Sequence, residues 1–485
     1  MKNKFIWPAY ALALALSLAS CKDPLEIEPQ QSIDADTAYD TPQKIAAAVV
    51  GAYARLDNPR LYGTDLILVP ELLAGNGYVN WEGSFANYRQ IRNHTQISNL
   101  SNAEGIWTQA YAAINQANLI LANLAVVTDA GQRSQFEGEA LFIRATMHFE
   151  LVRLYANQYQ PGSANTQPGV PINLTAVTSV EQADVQLARS TVQEVYTQVI
   201  KDLQDAIAKL PDQNITRASK YSAQAMLARV YLQQGNYPAA RAAADDVINN
   251  SGASLQGSVA AIFANRNSGE SLFEIQQNDQ NNAGTANDGL ATYFAGYSPT
   301  GAQDVLYGRG DVAISSGFVN QYEPNDVRGT DDLPALTTQK LIYVSDGNNK
   351  VGRYRTIKWR TYGQNIPVIR LAEMYLIRAE ADVRAGNAAQ ARNDINLIRT
   401  RSGASPKASV TLADVLRERQ LELAFEGFRI HDLRRTNGIV IQAVPATPDS
   451  PAQPAVPASD PRFVLPIPQR EINNNPNLVQ NEFYL

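Results

Sequence analysis

The chain has 485 residues, 45% of them apolar and 18% charged, and a formal net charge of -6 with acidic and basic residues interleaved. That balance lacks the basic stripe needed to displace counterions, which excludes a nucleic-acid partner. Past the first twenty residues no stretch approaches the roughly eighteen consecutive apolar residues of a membrane-spanning helix, so the mature chain is expected to be soluble and at most tethered.

Lys2 and Lys4 open the chain ahead of a short apolar run that ends in Leu18-Ala19-Ser20-Cys21. A basic head, a short apolar segment and small residues before a cut make residues 1–20 a secretory signal. Cys21 at the cut turns it into a lipoprotein signal. Its thiol takes a diacylglycerol and its freed amine a third acyl chain, and two or more chains anchor a protein firmly where one does not. Cys21 is the only cysteine in the chain, so an internal disulfide is excluded. Residues 21–41, with Pro24, Pro29 and several acids, read as an extended acidic leader away from the membrane.

Helical periodicity dominates from there. Ile45, Val49, Tyr53 and Leu56 form one apolar stripe, and Ile106–Leu124, Phe136–Tyr155 and Val192–Leu210 repeat the pattern, the last stopped by Pro211. Residues 219–250 carry the small-residue spacing of a tetratricopeptide unit, with Gly235-Asn236 as the turn between two helices. The skeleton recurs at Ala379, Gly386, Ala391, Ile395 and Ile398. Two such hairpins far apart are not a tandem array, which predicts helix pairs separated by long insertions. The insertions fall where Gly, Asn, Asp and Tyr cluster. They are residues 73–98, 276–365 with short strand-like pieces such as Leu341–Val344, and a Pro/Ala-rich 443–461 expected to be extended.

Toward the C-terminus the residues resemble a known family. Ile366-Pro367-Val368-Ile369-Arg370-Leu371-Ala372-Glu373 leads into Tyr375-Leu376-Ile377-Arg378-Ala379-Glu380-Ala381, followed by Glu422-Leu423-Ala424-Phe425-Glu426-Gly427 and Asp432-Leu433-Arg434-Arg435. Leu465-Pro466-Ile467-Pro468 and Asn475-Pro476-Asn477 close the series, and Ala140–Ala145 with Leu151–Tyr155 agree. Together they resemble the SusD/RagB family of surface nutrient-binding lipoproteins over essentially the whole mature chain. Only 443–461 has no place on that pattern. The resemblance implies a mainly α domain over residues 42–485, built on four tetratricopeptide-like helix pairs with minor β structure and a loop-rich ligand side. It also implies a non-enzymatic, cofactor-free oligosaccharide binder on the outer face of the outer membrane, acting as the lid of a SusC-like TonB-dependent transporter.

The chemistry agrees with a binding role. Glu422 and Glu426 share a helix face at i, i+4, but Arg417, Arg419 and Arg429 around them indicate ion pairing rather than an acid/base dyad. Asp432 with Arg434 and Arg435, and Glu373 and Glu380 with Arg370 and Arg378, read likewise. His94, His148 and His431 are scattered, and no metal-ligand spacing, phosphate loop or nucleophile elbow is present. His148, Trp107 and Trp359 are expected in the core. Sugars offer apolar C–H faces and rings of hydroxyls, so a site needs an aromatic platform with a polar edge. Trp81, in a Gly/Asn-rich segment with Asn76, Tyr78 and Asn80, is the foremost candidate, matching the place where the family often supplies a glycan aromatic. Tyr293, Tyr297, Asp304, Tyr307 and Arg309 follow from the large insertion. Peptide capture by the same lid, a surface hydrolase and a purely structural lid are the competing readings.

Overall fold

The long periodic stretches are helices in the computed structural model of the chain, which describes residues 37–264, 266–296, 308–334, 338–345, 350–446 and 450–485. Cys21 and most of the leader lie outside the described residues. Helix α1 spans Pro42–Leu56, α2 Asp65–Leu73, α3 Ala86–Asn93, α4 Ser101–Asn123, α5 Ala130–Tyr155, α6 Val192–Lys209, α7 Lys220–Gln234 and α8 Tyr237–Asn250. After a strand-bearing segment come α9 Leu371–Arg384, α10 Ala388–Arg401, α11 Leu412–Glu422 and α12 Arg429–Arg435.

Local chemistry sets the ends. Thr41, Asp129, Thr191, Ser219 and Thr411 each accept a backbone N–H that the first helical turn leaves unpaired. Gly235, at φ +73°, ends α7 in the left-handed region that side chains avoid, so α8 folds straight back. Ala225, Ala228, Ala240 and Ala244 are fully buried and let the two axes approach closely. Helices then pack in succession: α1 on α4, α4 on α5, α5 on α6, α6 on α7, α7 on α8, α8 on α9, α9 on α10. The result is four helix pairs, α1/α4, α5/α6, α7/α8 and α9/α10, the tetratricopeptide-like scaffold expected from sequence.

Among the described residues eight short strands complete the fold: β1 Val79–Trp81, β2 Ser271–Ile275, β3 Val312–Ile314, β4 Ile342–Val344, β5 Tyr354–Thr356, β6 Ile366–Arg370, β7 Ile439–Ile441 and β8 Val456–Pro457. They form an antiparallel sheet in the order β1-β3-β5-β4 and two separate pairs, β2-β6 and β7-β8. The stretches expected as loops are therefore partly regular. Residues 73–98 hold β1 and α3, and 276–365 supply β3, β4 and β5. Within 443–461, expected to be extended and exposed, Val444 bridges Gln453 and β8 pairs with β7.

Scaffold and insertions meet at buried charge. Arg370, which ends β6, pairs with Glu270 (3.1 Å), Glu422 (2.5 Å) and Glu426 (2.8 Å). From the large insertion, Arg328 reaches Asp326 (2.7 Å), Glu418 (2.7 Å) and Glu422 (2.9 Å), and Lys358 reaches Glu426 (2.7 Å). Arg401, ending α10, joins Glu270 and Glu422. Glu422 and Glu426 are thus ion-paired as expected, but by cations from distant elements. Arg419 is taken up instead by Asp432 (2.9 Å), and Asp432 pairs with Arg435 (2.8 Å) while Arg434 donates to the carbonyls of Arg153 and Ala156.

Burial alone would raise the Glu422 carboxyl, yet Arg401, Arg370 and Arg328 hold it well below the ordinary carboxylate range. A depressed folded pKa gives stability that is fully present above the unfolded value of about 4.3 and is lost as pH falls further. Glu422→Gln, which removes the one carboxylate that three buried arginines share, is expected to cost about 3–5 kcal/mol at pH 7. The same substitution should flatten the fall in stability below about pH 4.3. Urea unfolding of both proteins at neutral and acid pH checks both effects.

Candidate functional site

Strand geometry decides where the sequence candidates go. Side chains alternate between faces along a strand, and β1 runs buried, exposed, buried. Val79 and Trp81 enter the core while Asn80 faces solvent. Trp81 is only 5% exposed, which corrects its reading as a solvent-facing platform. The segment taken for a loop is a strand, paired with β3 through Trp81 opposite Val312, and that pairing fixes the indole inward. Tyr78 is buried as well. Its ring lies 5.6 Å from that of Phe425, and its hydroxyl accepts the Phe425 backbone N–H at 2.9 Å, so it is a core strut. Tyr293, in the short helix Leu290–Phe294, is fully buried. Asn76 is exposed in the turn before β1. Asn80 lines a cavity of about 380 Å³ with Glu82, Arg92, Ser315, Arg353 and Tyr354. Tyr297, Asp304 and Tyr307 lie outside the described residues.

The structure nevertheless brings several candidates together. Trp81 packs on Tyr88 (4.6 Å between ring centroids) and Tyr293 (5.3 Å), and Tyr88 lies 5.3 Å from Tyr293. Phe85 stands edge-on to Tyr88 and Tyr293, at 6.4 Å from each, and is 39% exposed. Among the described residues only Phe85 and Phe483 are exposed aromatic side chains, and Phe483 lies in the C-terminal turn. Gly83 makes the arrangement feasible. A Cβ there would stand 2.6 Å from the Trp81 ring and 2.7 Å from Cγ of Asp311, so only glycine lets the chain pass over the indole. Sequence reasoning missed Phe85, although it sits two residues beyond Gly83 in the run that flagged Trp81.

Charged groups rim the ring. The Arg309 guanidinium lies 5.1 Å from the Phe85 centroid and 5.4 Å from that of Tyr293, within cation–π range. Its Nε donates to Asp311 at 2.9 Å, and Lys350 Nζ holds Asp311 (2.9 Å) and the carbonyls of Arg309 and Gly310. Tyr293 donates to Asp288, Tyr88 to Asp65 (2.7 Å), and Arg60 bonds Asp65 at 3.0 Å. Burial, reinforced by Asp288 and Asp65, pushes both phenols well above their ordinary range, so both remain neutral donors. Among the described residues Trp81 Nε1 and Arg309 Nη2 are buried with no hydrogen-bond partner.

The residues screened for catalysis sit elsewhere. Burial pulls His148 down to about 4, and its Nδ1 lies 3.0 Å from the Arg144 carbonyl within α5. Trp107 and Trp359 are core, the latter donating to the Phe425 carbonyl at 2.9 Å. No group of three or more His, Cys, Asp or Glu suited to a metal occurs among the described residues.

Residues 23–232 match a family model described as starch-binding associating with outer membrane, and residues 345–484 match the SusD family model. A SusD-like protein of Formosa agariphila is 29% identical, covering 97% of this chain and 98% of its own. The starch-binding protein SusD of Bacteroides thetaiotaomicron is 34% identical over 157 residues, 32% of this chain and 26% of that one. Among solved structures, a putative sugar binding protein of Bacteroides vulgatus is similar with a TM-score of 0.77 at 26% identity, covering 93% of this chain and 100% of its own.

Because Trp81 is core, Trp81→Ala is expected to lower stability by about 3–5 kcal/mol. Phe85→Ala, which removes a ring already open to water, should cost about 1 kcal/mol or less. Chemical denaturation of the two variants separates support from platform.

Proposed function

We propose, since this chain belongs to the SusD/RagB family, that it captures a glycan at the cell surface on the ring of Phe85 and passes it to a TonB-dependent transporter without bond chemistry. The observation that carries the reading is the exposed Phe85 ring, set edge-on against the buried Tyr88 and Tyr293 with a guanidinium over one of its faces, which leaves the other face for a ligand. An apolar face meets the C–H face of a sugar ring, and a cation beside it can donate to the hydroxyls. The Arg309 side chain is 34% exposed, so part of its guanidinium is open to a sugar oxygen. Asp288 and Arg60 extend the polar rim, and Asn80 with its cavity lies on the opposite face of the same strand.

A starch-binding family description and a sugar-binding structural relative support a glycan as cargo. The pairing of the conspicuous carboxylates with arginines supports binding over hydrolysis. Lipidation of Cys21 would keep the binder beside its barrel. No helix among the described residues is long and apolar enough to cross a membrane.

Isothermal titration against soluble polysaccharides and their oligosaccharides tests the reading. One glycan class is expected to bind, and Phe85→Ala to weaken it by at least about tenfold, or about 1.4 kcal/mol. Tyr354→Ala, in the cavity on the other face, should bind normally. Silence on every glycan with clear heat on peptides would overturn glycan capture. Surface exposure has its own check. Protease added to intact cells should remove the protein, and Cys21→Ser should abolish acyl labelling and release it from the membrane fraction.

A further inference from the structure

A second cavity, away from the Phe85 ring, has an uneven charge. It measures about 270 Å³ and is lined by Phe263, Ala264, Arg266, Arg360, Thr361, Gly363, Gln364 and Asn365. Two guanidinium groups line it, and the carboxylate beside it, Asp279, stands by Gly363 at the solvent edge. Elsewhere several inward arginines are matched by carboxylates, as the partners of Arg328, Arg370, Arg401 and Arg435 show.

Arg360 is half-buried, and its side chain makes no hydrogen bond or ion pair among the described residues; only its backbone N–H is used, donating to Gln364 at 2.6 Å. Arg266 is positioned by one bond, Nη2 to the Gly363 carbonyl at 2.8 Å, which leaves other donors of its fork free. Its nearest acid is Asp279, 3.8 Å away with a side chain 95% exposed. A pair that long and that solvated contributes little.

The amides in the wall are already committed. The Gln364 oxygen accepts from Arg360 and Thr361, and its nitrogen donates to the Lys358 carbonyl. Asn365 donates to Glu274 and Gln276 and accepts from Gln277. The unspent capacity at this site is therefore donor capacity on two cations. Guanidinium forks match the planar or tetrahedral oxygens of carboxylates and sulfates, which make charge-assisted bonds about twice as strong as neutral ones. The volume lies just below the range of drug-sized pockets, which suits a single charged sugar or a small anion.

The geometry points to an anion-binding site formed by Arg266 and Arg360, taking the carboxylate or sulfate of an acidic saccharide. It is distinct from the Phe85 ring, and its ligand is recognised by charge rather than by an aromatic face.

Titration calorimetry at low ionic strength with three probes tests it: galactose 6-sulfate, glucuronate and galactose. At least one acidic sugar is expected to bind while galactose does not, and the stronger of the two identifies a sulfate or a carboxylate as the preferred group. Arg360→Gln and Arg266→Gln should each weaken that binding by about tenfold. Arg360→Lys, keeping the charge and losing the fork, should fall between. Because Arg360 makes no side-chain bond, the melting temperature of Arg360→Gln should match that of the parent, which separates lost binding from lost fold. Phe85→Ala should leave acidic-sugar binding intact, so failure of the ring reading and failure of this one are distinguishable. Equal binding of galactose, no binding of either acid, or an unchanged affinity in Arg360→Gln overturns the inference.

Discussion

The buried ion network centred on Arg370 and Glu422 joins what would otherwise be two structures, a helical scaffold and a set of long insertions. Its members come from the ends of β6, α10 and α11, from Glu270 ahead of β2, and from Arg328 and Lys358 in the large insertion. Hydrophobic burial is non-directional and would tolerate many placements of an insertion on the helices. A carboxylate shared by three arginines tolerates few, because moving one partner strands a charge in a medium that cannot solvate it. Lys358 shows the same constraint locally. Its ammonium meets Glu426 and the carbonyls of Glu422 and Ala424, which places the adjacent Trp359 so that its indole reaches the Phe425 carbonyl. Phe425 in turn packs on Tyr78, one residue before β1. The position of β1 therefore depends, through a short chain of contacts, on ionic partners far away in sequence.

The helices were legible because their information is local. Stripes such as Val192, Tyr196, Val199 and Leu203, stops such as Pro211, and the Gly235 turn need no knowledge of the rest of the chain. The strands were less so. Leu341–Val344 reads as strand-like and contains β4, but β1, β3 and β5 are three residues each, too short for alternation to stand out, and each owes its conformation to partners brought from across the insertion. The ion pairs were half legible. That Glu422 and Glu426 belong to a network followed from nearby arginines, but its cations come from Arg328, Lys358, Arg370 and Arg401, which no spacing rule connects to them.

The candidate site shows the same division. Sequence located the neighbourhood, because tryptophan in a Gly/Asn-rich run needs a reason to be there. It misassigned the roles, because exposure within a three-residue strand depends on the face, and the face depends on register. Trp81, opposite Val312, faces inward, and Asn80, opposite Ala313, faces out. Tyr293 and Arg309 were named from a distant stretch, and the fold does bring them to Trp81 and Phe85.

On the proposed reading, Trp81 and Phe85 divide between them two requirements that one side chain cannot meet. A glycan platform must be open to solvent, yet an exposed ring free to turn would lose rotational freedom on binding and weaken the complex. Burying Trp81, Tyr88 and Tyr293 beneath Phe85 supplies the rigidity, and opening Phe85 alone supplies the face. The cost falls on the donors below. Among the described residues the Trp81 indole N–H and Arg309 Nη2 are left without acceptors, as are donors of Arg153, Arg355 and Arg419 elsewhere. The Arg309 side chain is 34% exposed, so the proposed contact with a ligand falls to the open part of its guanidinium rather than to the buried Nη2. In the proposed site the core supplies rigidity and the rim would supply selectivity, and the glycine at position 83 lets the two layers lie close together.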